Sequence, residues 1–572
     1  MCNCQLILLL VLLVITTLRT VTASILPFND INILVVTDVH SWVGSRTRHE
    51  PEYNADYGHV LSLYHLLKNQ HAEKDLFFVM NGDFMDGTGL STYPPKYLAP
   101  ILLRMPWNAL NIGNHELYQN STVEYIRDHF VQDWNGRYLT SNVLLESTHR
   151  PIGSRYSLMK GNQSSLLTFG FLYDMTGNCG ASIVEPVRQV VQSEWFRMAL
   201  VTETYDAILV LAHMDFKDDL VKVICDAIRT ILLKPITIQF ITGHSHIRAF
   251  TAVDEASTSF EAGHYLDTVG FVSFPKFTNE ILGVNVTNQF QHVFIKANTN
   301  TFKNILQVDS LDTIEGLELS QFILSTRKNM GLFDVLGCSP RLYSLNQGLD
   351  QQDSLWNLYL TKVVAANYLQ SSNTSIFLQG TGAFRSSFFK GEVNIDDLAS
   401  VTPFNDTVFL LDTAIEGRIL LELLGGQPNR VEPNAPYGLP LIGSSLFHVE
   451  TSITYRVYTV SFDLPVILQG LEKLIDTTIT ATRQYIDNGM ELTTTTLWTN
   501  YIDSNWKCRT PVYGRAIVLL WVSIPGAILL GGITVMALYM MNVRKRRYGF
   551  EAVNSEKDID GHYETRSHIV SN

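Results

Sequence analysis

"WNALNIGNHELY", residues 107–118, runs a short apolar, β-favouring stretch straight into an amide, an imidazole and a carboxylate at Asn114, His115 and Glu116. A strand that ends this way delivers polar, metal-capable side chains at its carboxyl end. The same junction recurs four times. "INILVV" (31–36) precedes Asp38 and His40, "DLFFVM" (75–80) precedes Asp83, "AILVLA" (207–212) precedes His213, and "ITIQFIT" (236–242) precedes His244 and His246. Between them, "YGHVLSLYHLLKNQ" (57–70) and "TVEYIRDHFVQDW" (122–134) carry apolar residues at the three and four spacing of amphipathic helices. The expectation is an α/β domain whose buried strands gather ligands along one sheet edge.

The residue types narrow the chemistry. His244 and His246 alternate along an extended backbone and so share one face. Neutral imidazole, carboxylate and amide oxygen, with no thiolate, suit Zn, Mn, Fe or Co. Asp38, His40, Asp83, Asn114, His213, His244 and His246 together exceed what one ion normally uses, so two divalent metal ions are expected. Asp83, in the Gly-flanked "NGDFMDG", is the natural bridging carboxylate. Two ions about 4 Å apart bind phosphate oxygens and turn a bound water into hydroxide for in-line attack, which makes phosphoester hydrolysis the leading reaction.

The chain has 572 residues, 46% hydrophobic, with a formal net charge of −13. That length accommodates at least two cored domains, and the acidity argues against nucleic acid as a partner. Leu6–Leu18 followed by Ala23-Ser24 reads as a signal peptide over residues 1–23. Ala516–Met541 carries no charge, and Arg544, Lys545, Arg546 and Arg547 follow it. These features predict a single C-terminal transmembrane helix and a cytoplasmic tail over 542–572, a type I membrane protein with an extracellular or lumenal (endosomal or vacuolar) ectodomain. Asn120, Asn162, Asn285, Asn373 and Asn405 begin glycosylation sequons. Outside the leader, Cys179, Cys225, Cys338 and Cys508 permit three pairings, and proximity favours 179 with 225 and 338 with 508.

"TDVH", "NGDFMDG", "IGNHE", "LAHMD" and "TGHSH" resemble the five ordered blocks of the calcineurin-like metallophosphoesterases. Residues 378–413, "LQGTGAFRSSFFKGEVNIDDLASVTPFNDTVFLLDT", resemble the substrate-binding domain of the 5′-nucleotidase family, and within it the membrane-bound or secreted lower-eukaryote type. The resemblance implies a metallophosphoesterase β-sandwich flanked by helices over 25–310 and an α/β C-terminal domain over 330–480. It places one metal on Asp38, His40, Asp83 and His246 and the other on Asp83, Asn114, His213 and His244. His115 would act on the substrate, Arg385 would pair with its phosphate, Phe462 would stack on its ring, and Glu116 would have a supporting role.

Three positions depart from that pattern. Leu117 and Tyr118 stand where the family has an Asp that orients the catalytic His, and Asp86 of "GDFMDG" is a candidate to replace it. Gly380 occupies the place of an Asn, and the second stacking aromatic falls near Leu439. "SLDTIEGLELSQFILSTRKNMG" (310–331) reads as a helical linker, and 481–515, with its run Thr493–Thr496, as a juxtamembrane stalk. The expected function is a phosphomonoesterase acting on a small phosphorylated substrate outside the cytosol. A phosphodiesterase, or a non-catalytic receptor on the same scaffold, is the alternative.

Overall fold

The computed structural model describes residues 26–233, 236–277, 286–349, 351–365, 374–424, 441–442, 449–486 and 489–508. The expected signal peptide, membrane helix and tail, the sequons at Asn285 and Asn373, and Leu439 lie outside these residues. Among the described residues no helix is long and apolar enough to cross a membrane.

The five apolar runs all become strands: β1 (Ile31–Val36), β2 (Asp75–Asn81), β3 (Ala109–Asn111), β4 (Ala207–His213) and β5 (Ile238–Thr242). They do not share one edge. Strands β1, β2 and β3 lie side by side and parallel in one six-stranded sheet, while β4 and β5 lie parallel in a second. Antiparallel strands, such as Thr268–Phe274 on β1, extend each sheet outward.

Alternation explains why these runs are apolar throughout. Ile31, Ile33 and Val35 join Leu209, Leu211 and Ile241 in the core between the sheets. Leu34 and Val36 face the helices on one outer surface, and Ile208 and Val210 those on the other. With both faces covered, every residue of β1, β2, β4 and β5 is buried. The domain is the expected sandwich flanked by helices.

Helix α1 (Tyr57–Gln70) occupies the predicted residues and is capped by Asp56, whose carboxylate accepts from the His59 N–H at 3.0 Å. The predicted linker contains α2 (Ile314–Asn329), which packs along α1. A β-carbon at Gly58 would stand 2.1 Å from the Gly316 carbonyl oxygen, so the close crossing requires glycine there. Residues 122–134 are not one regular helix: an α-turn gives way to a π-helical turn at Ile126–Phe130 and a 3-10 turn at Val131–Trp134. The widened turn keeps Val123, Ile126, Phe130 and Trp134 on the buried side.

The second domain centres on a mixed sheet ordered Leu441–Ile442, Ser375–Gln379, Thr454–Val460, Val408–Leu411, Ala481–Arg483. Its extent corrects the predicted stalk. Thr493–Thr496 is a capping box that starts α3 (Thr494–Asn505), in which Thr493 Oγ1 accepts from the Thr496 N–H at 3.2 Å and Thr496 Oγ1 from the Thr493 N–H at 2.9 Å. Leu497, Trp498 and Ile502 are buried in this domain's core. Cys338 and Cys508 form the expected disulfide, which ties the end of this segment to the domain's first strand. The expected partner bond is not made: Cys179 and Cys225 are free, and the buried Cys225 thiol lies against Asp254 and Ser257.

Trp498→Ala should therefore lower stability by about 3–5 kcal/mol, seen as an earlier calorimetric transition of the 26–508 unit. An unchanged transition would return α3 to the role of a stalk.

Candidate active site

All seven predicted ligands converge where the carboxyl ends of the two sheets meet. Among the described residues three groups each bring their ligand atoms within 4.8 Å of one another: Asp38, His40 and His246; Asp83, His213 and His244; and His40, Asp83 and His115, which shares His40 with the first and Asp83 with the second. Asp83 Oδ2 is 3.6 Å from His40 Nε2 and 3.1 Å from His213 Nε2. Asp38 Oδ1 is 3.6 Å from His246 Nε2 and 3.8 Å from His213 Nε2. Asn114 Oδ1 lies 3.1 Å from His213 Nε2.

The chain reaches this geometry by bending sharply. Asp38, His40, Asp83, His244 and His246, five of the seven candidate ligands, have φ between 47° and 74°, as do Ser41 and Asp86. Side chains with a β-carbon rarely adopt that region, and such residues cluster at functional sites. Gly82 also has positive φ, and a β-carbon on it would lie 2.7 Å from Gly113 N and 2.8 Å from His213 Nδ1.

Glu116 holds two of the loops together. Its Oε2 accepts the N–H groups of Asp83 (3.0 Å) and Gly113 (2.8 Å), and its Oε1 those of Phe84 (3.0 Å) and Met85 (3.3 Å). This buried carboxylate is the structural partner the sequence suggested.

The donor set fits divalent cations. His40 Nδ1 is 2.6 Å from the Met85 carbonyl and His213 Nδ1 2.8 Å from that of Asn81. A carbonyl only accepts, so each Nδ1 carries the proton and each Nε2 presents a lone pair to the cluster. His40 and His246 then bring two Nε2 atoms within 3.1 Å, an approach that a shared cation relieves. Burial and the Arg385 charge hold His40 well below the usual imidazole range, and burial together with the charge of His213 pulls His244 down to about 3. Burial also opposes protonation of His213, but Asp83 and Asp38 outweigh it and push His213 up to about 10. Bound metal ions would take over the neutralisation of these two carboxylates.

His115 sits beside the cluster with Nδ1 2.6 Å from Asp86 Oδ2 and Nε2 2.8 Å from Arg385 Nη2. Arg385 reaches in from the second domain and also donates to the Tyr265 hydroxyl at 2.9 Å. Phe462 is 51% exposed, so it is a surface ring and not core. Facing it, with centroids 6.5 Å apart and planes 18° from parallel, is Phe404. The family resemblance places the second aromatic near Leu439. The signal was instead in "TPFNDT", 19 residues after Arg385, inside the block already set apart by its resemblance.

Residues 31–248 match the calcineurin-like phosphoesterase family. An uncharacterized protein of Schizosaccharomyces pombe is 32% identical over 418 residues, 66% of this chain and 69% of that protein. The chain belongs to the calcineurin-like phosphoesterases. A protein of Arthroderma benhamiae named as secreted is 29% identical over 436 residues, 67% of this phosphoesterase and 65% of its own length. The crystal structure of a 5′-nucleotidase from Candida albicans shares the fold, with a TM-score of 0.75 at 24% identity over 84% of this chain and 99% of that one. This phosphoesterase is a metal-dependent phosphoester hydrolase, and its clustered Asp and His side chains are the residues able to hold the metal.

Glu116→Ala leaves four buried N–H groups without their acceptor, at about 1–3 kcal/mol each. Elemental analysis after dialysis against limiting metal should find less metal per chain than in the wild type. Glu116→Gln should fall between the two. Full metal content in Glu116→Ala would mean that the carboxylate does not shape the site.

Proposed function

We propose that the protein is an extracytosolic, two-metal phosphomonoesterase of the 5′-nucleotidase type. The facing pair Phe404 and Phe462 carries the substrate assignment. A planar ring between two others needs two van der Waals contacts of about 3.5 Å, or about 7 Å in all, and the 6.5 Å between these centroids falls about half an ångström short of that spacing, so the rings part slightly to admit a third. The gap adjoins the reacting groups, because the Phe404 ring is 6.0 Å from that of His115 and lies under the Arg385 guanidinium at 5.4 Å. An aromatic base stacked there would present its phosphate to a fork of N–H donors suited to phosphate oxygens.

In this reading Asp38, His40, Asp83 and His246 hold one ion, and Asp83, Asn114, His213 and His244 the other. When bound, the ions polarise phosphate oxygens and water. Arg385 orients the phosphate, while Phe404 and Phe462 exclude water from the base. His115 Nε2 faces the developing charge on the leaving oxygen.

The placement outside the cytosol rests on separate support. The sequon residues Asn120, Asn162 and Asn405 are exposed, Cys338 and Cys508 form a disulfide, and the Arthroderma relative is named a secreted protein. Together with the apolar leader and Ala516–Met541, these features fit a glycoprotein held by one membrane helix.

A chelator should abolish phosphate release from nucleoside monophosphates, and Zn, Mn or Co should restore it. Phe404→Ala and Phe462→Ala should each raise KM for nucleotides about tenfold, the scale of one lost base stack, while KM for a sugar phosphate stays within about twofold. Equal effects on both substrates would remove the nucleotide assignment.

A further inference from the structure

We propose that Asp86 is the residue that positions His115 for proton donation, taking the place of the acid that the chain lacks at Tyr118. The assignment rests on the phosphoester hydrolase reading of the site. Tyr118 does not serve His115 as a hydrogen-bonding acid would. Its ring meets the His115 ring edge-on, with centroids 5.0 Å apart, and its hydroxyl accepts from Asn114 Nδ2 at 3.0 Å. The imidazole turns the other way, to Asp86.

The contact has the form of an orienting pair. His115 Nδ1 and Asp86 Oδ2 are 2.6 Å apart, and both side chains are buried, at 6% and 1% exposure. An ionised carboxylate only accepts, so Nδ1 carries the hydrogen and Nε2 is the atom turned toward the reacting groups. Asp86 is itself held on several sides. Its Oδ1 accepts from the Tyr93 hydroxyl, its backbone N–H donates to Ser91 Oγ at 2.7 Å, and its φ of 68° places the side chain where a relaxed strand or helix would not. A backbone conformation that disfavours residues with a β-carbon is kept at the position whose side chain fixes the imidazole.

The second ring nitrogen shows what the arrangement is for. Nε2 accepts from Arg385 Nη2 at 2.8 Å, so the guanidinium occupies the direction from which a phosphoester would approach. A bound phosphate dianion draws Arg385 onto its own oxygens and releases the Nε2 lone pair, which takes a proton from solvent and then faces the leaving-group oxygen as a donor. In the step, the oxygen of water bonds to phosphorus as the bond from phosphorus to the leaving oxygen breaks. The leaving oxygen takes the Nε2 proton, and the proton released by the attacking water returns to Nε2. The products are an alcohol and inorganic phosphate.

A purely structural Asp86, holding the loop between Asp83 and Tyr93, makes a different prediction, and leaving-group dependence separates the two. An alkoxide must be protonated as it departs, whereas p-nitrophenolate departs readily without a proton. Full-length wild type, Asp86→Asn, His115→Ala and the double variant would be assayed on an alkyl phosphomonoester and on p-nitrophenyl phosphate, with metal content measured for each. The expected result is a fall in kcat of about 10²-fold or more on the alkyl ester against less than about tenfold on the nitrophenyl ester. Metal content should match the wild type, and the double variant should be no slower than His115→Ala alone, as for residues that act as one unit. Equal losses on both esters, additive losses in the double variant, or a loss of metal in Asp86→Asn would overturn the proposal while leaving the hydrolase reading intact. A wild-type chain that loads metal and cleaves neither ester would overturn both.

Discussion

One buried carboxylate, Asp83, has to serve two groups of donors at once. Its Oδ2 faces His40 on one side and His213 on the other, while Oδ1 is held by the His115 N–H at 2.9 Å. Neither oxygen can shift without losing one of these partners. The rest of the site follows from that restriction: the left-handed backbone at Asp83, the glycines on either side of the loop crossing, and the four N–H groups that Glu116 gathers to keep the loop in place. Burial would raise the Asp83 pKa, but the neighbouring charges of His213 and His115 outweigh it and hold this carboxyl well below the usual range. It therefore stays ionised and available to cations.

The sandwich makes the shared carboxylate possible. Each sheet has a parallel centre, so its strands end on the same side, and with the two sheets face to face β1 to β3 and β4 to β5 deliver their loops to one point. Two of the three groups draw on both sheets: Asp38, His40, Asp83 and Asn114 come from the first, and His213, His244 and His246 from the second. Strands covered on both faces supply the rigidity that lets so many loop residues sit in disfavoured backbone conformations.

The second domain contributes what the acidic and imidazole groups of the first lack, namely a cation set against His115 and a pair of facing aromatic rings beside it. Arg385 crosses the domain boundary to reach His115 and Tyr265. The boundary itself is polar: Arg48 pairs with Asp397 at 2.8 Å, and Arg327 on α2 pairs with Asp396, which also accepts from the Gly89 N–H at 2.8 Å. The helix that links the domains in sequence thus packs on the first through glycines and grips the second through an arginine.

Much of this was legible without coordinates, for a local reason. A fully buried strand is written as a continuous apolar run, and a metal-capable side chain at its end is an adjacent letter, so all five strands and all seven candidate ligands could be read in order. What resisted reading depended on partners distant in the chain. Thr493–Thr496 looks like a stalk until Trp498 has a core to enter, and Cys225 looks like half of a disulfide until its helix buries it against Asp254. Phe404 becomes half of a facing ring pair only when Phe462, 58 positions later, comes opposite it. Asp86 could be suspected from the missing acid at position 118, but only the left-handed turn after Asp83 decides that its carboxylate meets His115. The amino-acid sequence determined which groups are present and in what order the strands deliver them. The tertiary structure decided which groups touch, because hydrogen bonds and ring contacts a few ångströms long depend on how distant segments of chain are brought together.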